Sequence, residues 1–214
     1  QEYVIPDLIV RKIDGDYMVF PNDTIMPRLR IAQSTLEAIK SPRKLDKEEE
    51  TELRDFASKK HNGAKWMVQA IEQRRQTMLK VMNFIVDRQY EYFERGVQYL
   101  KPLTLREVAD HIGMHESTVS RVTNKKFVQT PGGVYSLKYF FSSGLSTASG
   151  EDLSARAVQD RIKGLVSDED PAKPFTDERI VKALRAEGIK IARRTVAKYR
   201  DQLGILPARI RKRV

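Results

Sequence analysis

Ala192-Arg193-Arg194-Thr195-Val196-Ala197-Lys198-Tyr199-Arg200 is the stretch on which the reading of this 214-residue chain turns. On a helix, Val196, Tyr199 and Leu203 share one face, while Arg193, Arg194, Lys198 and Arg200 spread over the rest, with Thr195 between them. A basic helix with one apolar stripe and arginines at its N-terminal end has the character of a helix that reads a DNA major groove. Just upstream, residues 177–187 read as a helix, and Gly188 separates the two. Residues 188–214 hold nine Lys or Arg against one acid, Asp201, a net +8 out of +10 for the whole chain. Such clustering is the electrostatic footprint of a polyanion partner, nucleic acid before membrane. The tail 209–213 taken alone fits a solvated basic segment equally well.

A second helix pair lies at residues 104–123. Thr104 and Glu107 have the spacing of a capping box. Val108 and Ile112 sit one turn apart, Ala109 is small where a second helix must approach, and Gly113 supplies the turn. Met114, Val119 and Val122 then fill the buried side of the next helix. An Ala, a Gly four residues on and an aliphatic six further is helix-turn-helix spacing. The outward side of that second helix is His115, Glu116, Ser117, Thr118, Ser120 and Arg121, short hydrogen-bonding groups plus one guanidinium, as a major-groove reader needs. The C-terminal pair has a longer turn: Gly188 to Val196 is eight residues, against six from Gly113 to Val119. Residues 127–137 switch to strand periodicity around Pro131-Gly132-Gly133 and predict a wing-like hairpin. Tyr139-Phe140-Phe141 follows as core.

The rest of the chain joins these units. Asp14-Gly15 between β-rich runs predicts a hairpin near residues 9–20. Residues 28–40 read weakly as helix. Asp46 and Glu49 mark a helix start, with a stop expected near His61-Asn62-Gly63. Residues 64–95 contain no Pro or Gly, and Met67, Ile71, Met78, Met82 and Ile85 recur at helical spacing. They predict a rod of about 48 Å capped by Gly96. Residues 142–150 have a Ser/Thr/Gly linker composition, and 154–166 predict another helix. The expected fold is mainly α: several small helical modules joined by one very long helix, two helix-turn-helix units, and short hairpins near 9–20 and 127–137.

Composition narrows the chemistry. There is no cysteine and there are three histidines, so no thiolate, disulfide or His-rich metal site is expected. Tyr199 lies on an apolar helix face with no acidic or Arg/His constellation around it, which argues against a recombinase or other enzyme. No catalytic residue, cofactor or metal is assigned. No apolar run approaches the length of a membrane span, and the expected location is the cytoplasm, associated with the nucleoid. The chain opens on Gln1, which suggests a piece of a longer protein.

The nonapeptide 192–200 also matches the RpoN box, and through it the chain resembles the sigma-54 class of bacterial RNA polymerase sigma factors. The likeness extends to His115–Val122 as the first helix-turn-helix of that class, to Leu137–Ser142 as the phrase after it, to the rod beginning at Ile71-Glu72-Gln73-Arg74, and to residues 1–60 as the later part of its core-binding region. The resemblance implies residues 1–63 as part of the core RNA polymerase-binding region and 64–101 as a long connecting helix. It implies 102–141 as a winged helix-turn-helix for the −12 promoter element, 142–153 as a linker, and 154–214 as the domain whose RpoN box reads −24. It further implies promoter DNA and core RNA polymerase as partners, and a closed complex opened by an ATP-dependent AAA+ activator acting mainly through a more N-terminal region. The −24 element of the class carries a GG step. Arg193 and Arg194 would read it, with Lys198, Arg200 and the 209–213 tail on phosphates. The alternative is a stand-alone helix-turn-helix transcriptional regulator.

Overall fold

The computed structural model describes residues 4–22, 24, 29–31, 47–142, 144–145 and 153–213. Most of the helix expected over 28–40, and the Asp46 start signal, lie outside the described residues. The first hairpin pairs β1 (Leu8–Ile13) with β2 (Asp16–Pro21), Val10 opposite Val19. Its turn places Asp14 and Gly15 at φ of 52° and 97°. These are the two positive values that a two-residue hairpin turn matching strand twist requires.

The long helix α1 runs from Lys47 to Arg88, 42 residues, or about 63 Å at 1.5 Å per residue. It does not stop at His61-Asn62-Gly63. Gly63 sits inside it with open space around its Cα. A single interior glycine costs about 1 kcal/mol relative to alanine, which the Lys-, Glu- and Ala-rich flanks absorb. The helix therefore starts earlier than the expected rod and also ends earlier. At Gln89 it breaks into the short α2 (Tyr90–Arg95). The buried Gln89 amide explains the break. Its Nε2 donates to the Lys101 carbonyl at 2.8 Å, and its Oε1 accepts from the Lys101 N–H at 2.9 Å. The apolar stripe is only half used as core. Met78, Val81, Met82, Ile85 and Val86 are buried, whereas Phe56, Met67 and Ile71 are exposed and Trp66 is 70% exposed.

The two hairpins, expected as separate features, form one sheet. β3 (Phe127–Thr130) and β4 (Gly133–Ser136) pair antiparallel, and β3 lies parallel to β1, giving the order β2-β1-β3-β4. Asp7 fastens the joint: its N–H donates to the Phe127 carbonyl at 2.8 Å. Its carboxylate accepts from the Phe127 N–H at 3.0 Å and from Lys126 Nζ at 2.7 Å. The inner face of this sheet, the C-terminal half of α1, and helices α3 (Leu105–Ile112) and α4 (Glu116–Thr123) enclose the larger core. Within it, Tyr92 and Phe140 meet edge-on, and Phe93, Tyr135 and Tyr139 pack against them in edge-on, stacked and tilted ring contacts, and burial pushes the Tyr92 hydroxyl up from its ordinary pKa.

A second, smaller core holds Val158, Ile162, Ile180, Leu184, Ile189, Ile191 and Val196. It is built by α5 (Ala155–Ser167), α6 (Asp177–Ala186) and α7 (Arg193–Gln202), followed by the four-residue α8 (Ala208–Arg211). The connection between the cores is tied at both ends. Ser142 bridges to Leu103, and β5 (Gly144–Leu145) pairs with β6 (Leu153–Ser154). The Ser154 N–H donates to the Leu100 carbonyl, and Arg156 lies 4.1 Å over the Tyr139 ring.

Candidate nucleic-acid interface

The first helix pair is α3 and α4. Thr104 Oγ1 accepts from the Glu107 N–H at 3.2 Å while the Glu107 carboxylate accepts from the Thr104 N–H at 2.8 Å, a complete capping box. Val108 and Ala109 are buried, and Gly113 ends α3 at φ 67°, a left-handed conformation open to glycine at no steric cost. On α4, Val119, Val122 and Thr123 face the core. His115, Glu116, Ser117 and Arg121 are exposed, and Thr118 and Ser120 are half-buried at the edge of that face. His115 does more than line the surface. It is the N-cap of α4, with Nδ1 accepting from the Ser117 N–H at 3.3 Å and 2.9 Å from the Ser117 hydroxyl. At the far end, Lys125 turns the chain into β3 with φ 53° and is exposed, a cation beside the wing that spacing arguments passed over.

The second pair is α6 and α7. Thr176 caps α6, accepting from the Arg179 N–H at 3.3 Å. No side chain caps α7, whose N-cap is Ala192. Its first-turn N–H groups carry the positive end of the helix dipole. Arg193, Arg194 and Lys198 are exposed, Thr195 and Ala197 are half-buried, and Val196 and Tyr199 are buried. Burial raises the Tyr199 pKa above the ordinary value. Arg193 reaches Glu178 on α6 at 3.0 Å, and Arg194 makes no ion pair among the described residues.

Arg200 departs from expectation. It is 5% exposed and faces the core, not solvent. Its Nε donates to Asp177 at 2.9 Å, and its Nη1 donates to the Ile205 carbonyl at 2.7 Å and lies 2.9 Å from Asp201. The guanidinium therefore ties the start of α6 to the turn after α7 and is withdrawn from phosphate. The tail is likewise divided. Arg211 forks onto Glu169 at 2.7 and 2.9 Å, donates to the Phe175 carbonyl at 2.9 Å and also meets the Leu206 carbonyl. Only Arg209, Lys212 and Arg213 of this tail project outward as cations. Burial alone would push the Glu169 carboxyl up, but Arg211 and the Phe175 N–H together hold it below the ordinary carboxylate value.

Among the described residues no group of three or more His, Asp or Glu could hold a metal ion, and no helix is long and apolar enough to cross a membrane.

Two helix-turn-helix units, each presenting a polar or basic helix face, define a DNA-binding protein of the helix-turn-helix class. The family model for the sigma-54 DNA-binding domain matches residues 54–213, and that for the sigma-54 factor core-binding domain matches residues 1–34. The chain belongs to the sigma-54 family. It is 41% identical to the RNA polymerase sigma-54 factors of Salmonella typhimurium and Escherichia coli, and 42% identical to that of Azotobacter vinelandii. Each match covers the whole chain but only 41–43% of the relative, so the chain spans less than half the length of these relatives. A crystal structure of Aquifex aeolicus sigmaN bound to promoter DNA matches 99% of this chain and 61% of that one, with 34% identity and a TM-score of 0.63.

Proposed function

We propose that this chain is the promoter-recognition part of a sigma-54-type initiation factor, with α7 reading the −24 element, α4 reading −12, and the N-terminal segment holding core RNA polymerase. The complex it forms is closed until an ATP-dependent AAA+ activator remodels it. The chain acts by binding, not catalysis, in the cytoplasm at the nucleoid. The observation that carries this reading is the pair of outward helix faces in one chain. α7 offers Arg193, Arg194 and Lys198, suited to guanine edges and phosphates, and α4 offers Ser117, Thr118, Ser120 and Arg121. The core-binding match over residues 1–34 supports polymerase as the second partner. Lys125, Arg209, Lys212 and Arg213 supply sequence-independent attraction to phosphate.

The test is a mobility-shift titration of a −24/−12 duplex with and without core polymerase. The reading expects specific binding of the chain alone and a slower-migrating ternary complex with core enzyme. Specific DNA binding with no effect of core enzyme would identify a stand-alone regulator instead.

A further inference from the structure

The outer face of the four-stranded sheet is built against the usual rule. An antiparallel hairpin with one face on a core turns polar residues to water. Here the inner positions Leu8, Val10 and Val128 are buried as expected, but the outer positions Ile9, Ile13, Met18, Phe20, Phe127 and Val134 are apolar too, among Arg11, Asp16, Gln129 and Ser136. The register sets Phe20 opposite Ile9, Ile9 beside Gln129, and Gln129 opposite Val134, so one row crosses all four strands. Met18, opposite Arg11, and Ile13, opposite Asp16, extend it along the first hairpin. Met18 is 49% exposed and Val134 47%, and Ile13 and Phe20 are exposed as well. Exposed apolar side chains gathered on one sheet face, here with Gln129 between Ile9 and Val134, mark a protein interface.

We propose that this face is a docking surface for core RNA polymerase and that it is composite: the wing strands β3 and β4 contribute to it together with the N-terminal hairpin. The proposal rests on the polymerase-binding reading above and specifies where that binding occurs. Three observations select the occupant. The matched core-binding segment, residues 1–34, includes both β1 and β2, whose side chains make most of the row. The face carries one cation, Arg11, and one acid, Asp16, at its ladder positions, whereas DNA-binding surfaces are strongly positive. The parallel β1–β3 joint makes the two hairpins one continuous surface, so a partner seated on Met18 and Phe20 meets Val134 across Gln129. The consequence is that the polymerase site and the −12 reader share a sheet: β3 follows α4 within four residues, and the same strand completes the docking face.

The experiment measures core polymerase affinity of the full chain by fluorescence anisotropy, for the unaltered protein and for Met18→Glu, Val134→Glu, Gln129→Lys and Trp66→Glu, with promoter-duplex affinity and circular dichroism taken in parallel. Met18→Glu and Val134→Glu should weaken core binding by at least tenfold and Gln129→Lys severalfold, whereas Trp66→Glu, at an exposed apolar position on α1, should leave it unchanged. Duplex affinity should be unchanged throughout. If Val134→Glu loses helical signal, Gln129→Lys decides the same question on β3. Full core affinity in both wing variants overturns the composite surface. No core binding by the unaltered chain overturns the polymerase reading itself, and this proposal with it.

Discussion

The two helix-turn-helix units hold their outward helices in place by different means. α4 is fixed by local caps at both helix starts and by a large apolar core shared with α1 and the sheet. α7 has no side-chain cap and a smaller core, and it is anchored by its own buried Arg200, which holds Asp177 and the Ile205 carbonyl, while on α8 the half-buried Arg211 holds Glu169 and the Phe175 and Leu206 carbonyls. In the second module, cations are divided between those that hold the fold and those left exposed on α7. A count of arginines there overstates the number of phosphate contacts.

The largest expected break in this comparison is Arg200→Ala. It strands the half-buried Asp177 and the Ile205 carbonyl, and because water still reaches Asp177 the cost lies below the ~3–5 kcal/mol of breaking a fully buried pair. Urea unfolding followed by circular dichroism should show the C-terminal core melting early while the larger core keeps its midpoint. A single unshifted transition would remove the anchoring role. Arg211→Ala sharpens the same point through pH. Glu169 is held below its ordinary value of 4.5 in the fold. The stabilisation it gives is therefore fully present above that value and lost as pH falls through the lowered folded value. The unaltered protein should thus lose stability more steeply below about pH 4.5 than Arg211→Ala does, as acid titrations of the two would record.

Lys198→Ala tests the reading half of α7. As an exposed cation on the reader, it should weaken matched and mismatched duplexes alike and lower the slope of log K against log salt by about one. Arg200→Lys should leave that slope unchanged, because Arg200 is not at the surface. Thr104→Ala carries the smallest effect. Losing this cap should cost about 1 kcal/mol in the first module, measurable as a shift in the urea midpoint of the larger core only.

Local signals carried most of the elements. Asp14-Gly15 marked a hairpin, Thr104-x-x-Glu107 a capping box, and Gly113 a left-handed turn, because each depends on a few adjacent residues. The parallel pairing of β1 with β3 joins Leu8 to Val128 and leaves no local trace in sequence. Neither does the Asp7 link across the same joint. Arg200 did carry a signal: it stands four residues after Val196, the spacing that keeps two side chains on one helix face. Its charge suggests solvent, and only the acid at 177 and the carbonyl at 205 make burial possible. The continuation of α1 through Gly63 reflects helix-forming flanks outweighing one unfavourable residue. The exposure of Arg121 on α4 and of Arg193, Arg194 and Lys198 on α7 follows from helical periodicity, whereas the inward turn of Arg200 and the contacts that hold these helices do not.

The central claim is that the two helix faces read separate promoter elements. The most direct measurement is the affinity of Arg194→Ala and Arg121→Ala for three duplexes: matched, altered at the −24 GG step, and altered at −12. A guanidinium meeting guanine O6 and N7 is worth about 1–3 kcal/mol of discrimination. Arg194→Ala should lose that much preference at −24 and keep its preference at −12, and Arg121→Ala should do the reverse. If both variants lose preference at both elements alike, or neither loses any, the division of labour between α7 and α4 is contradicted.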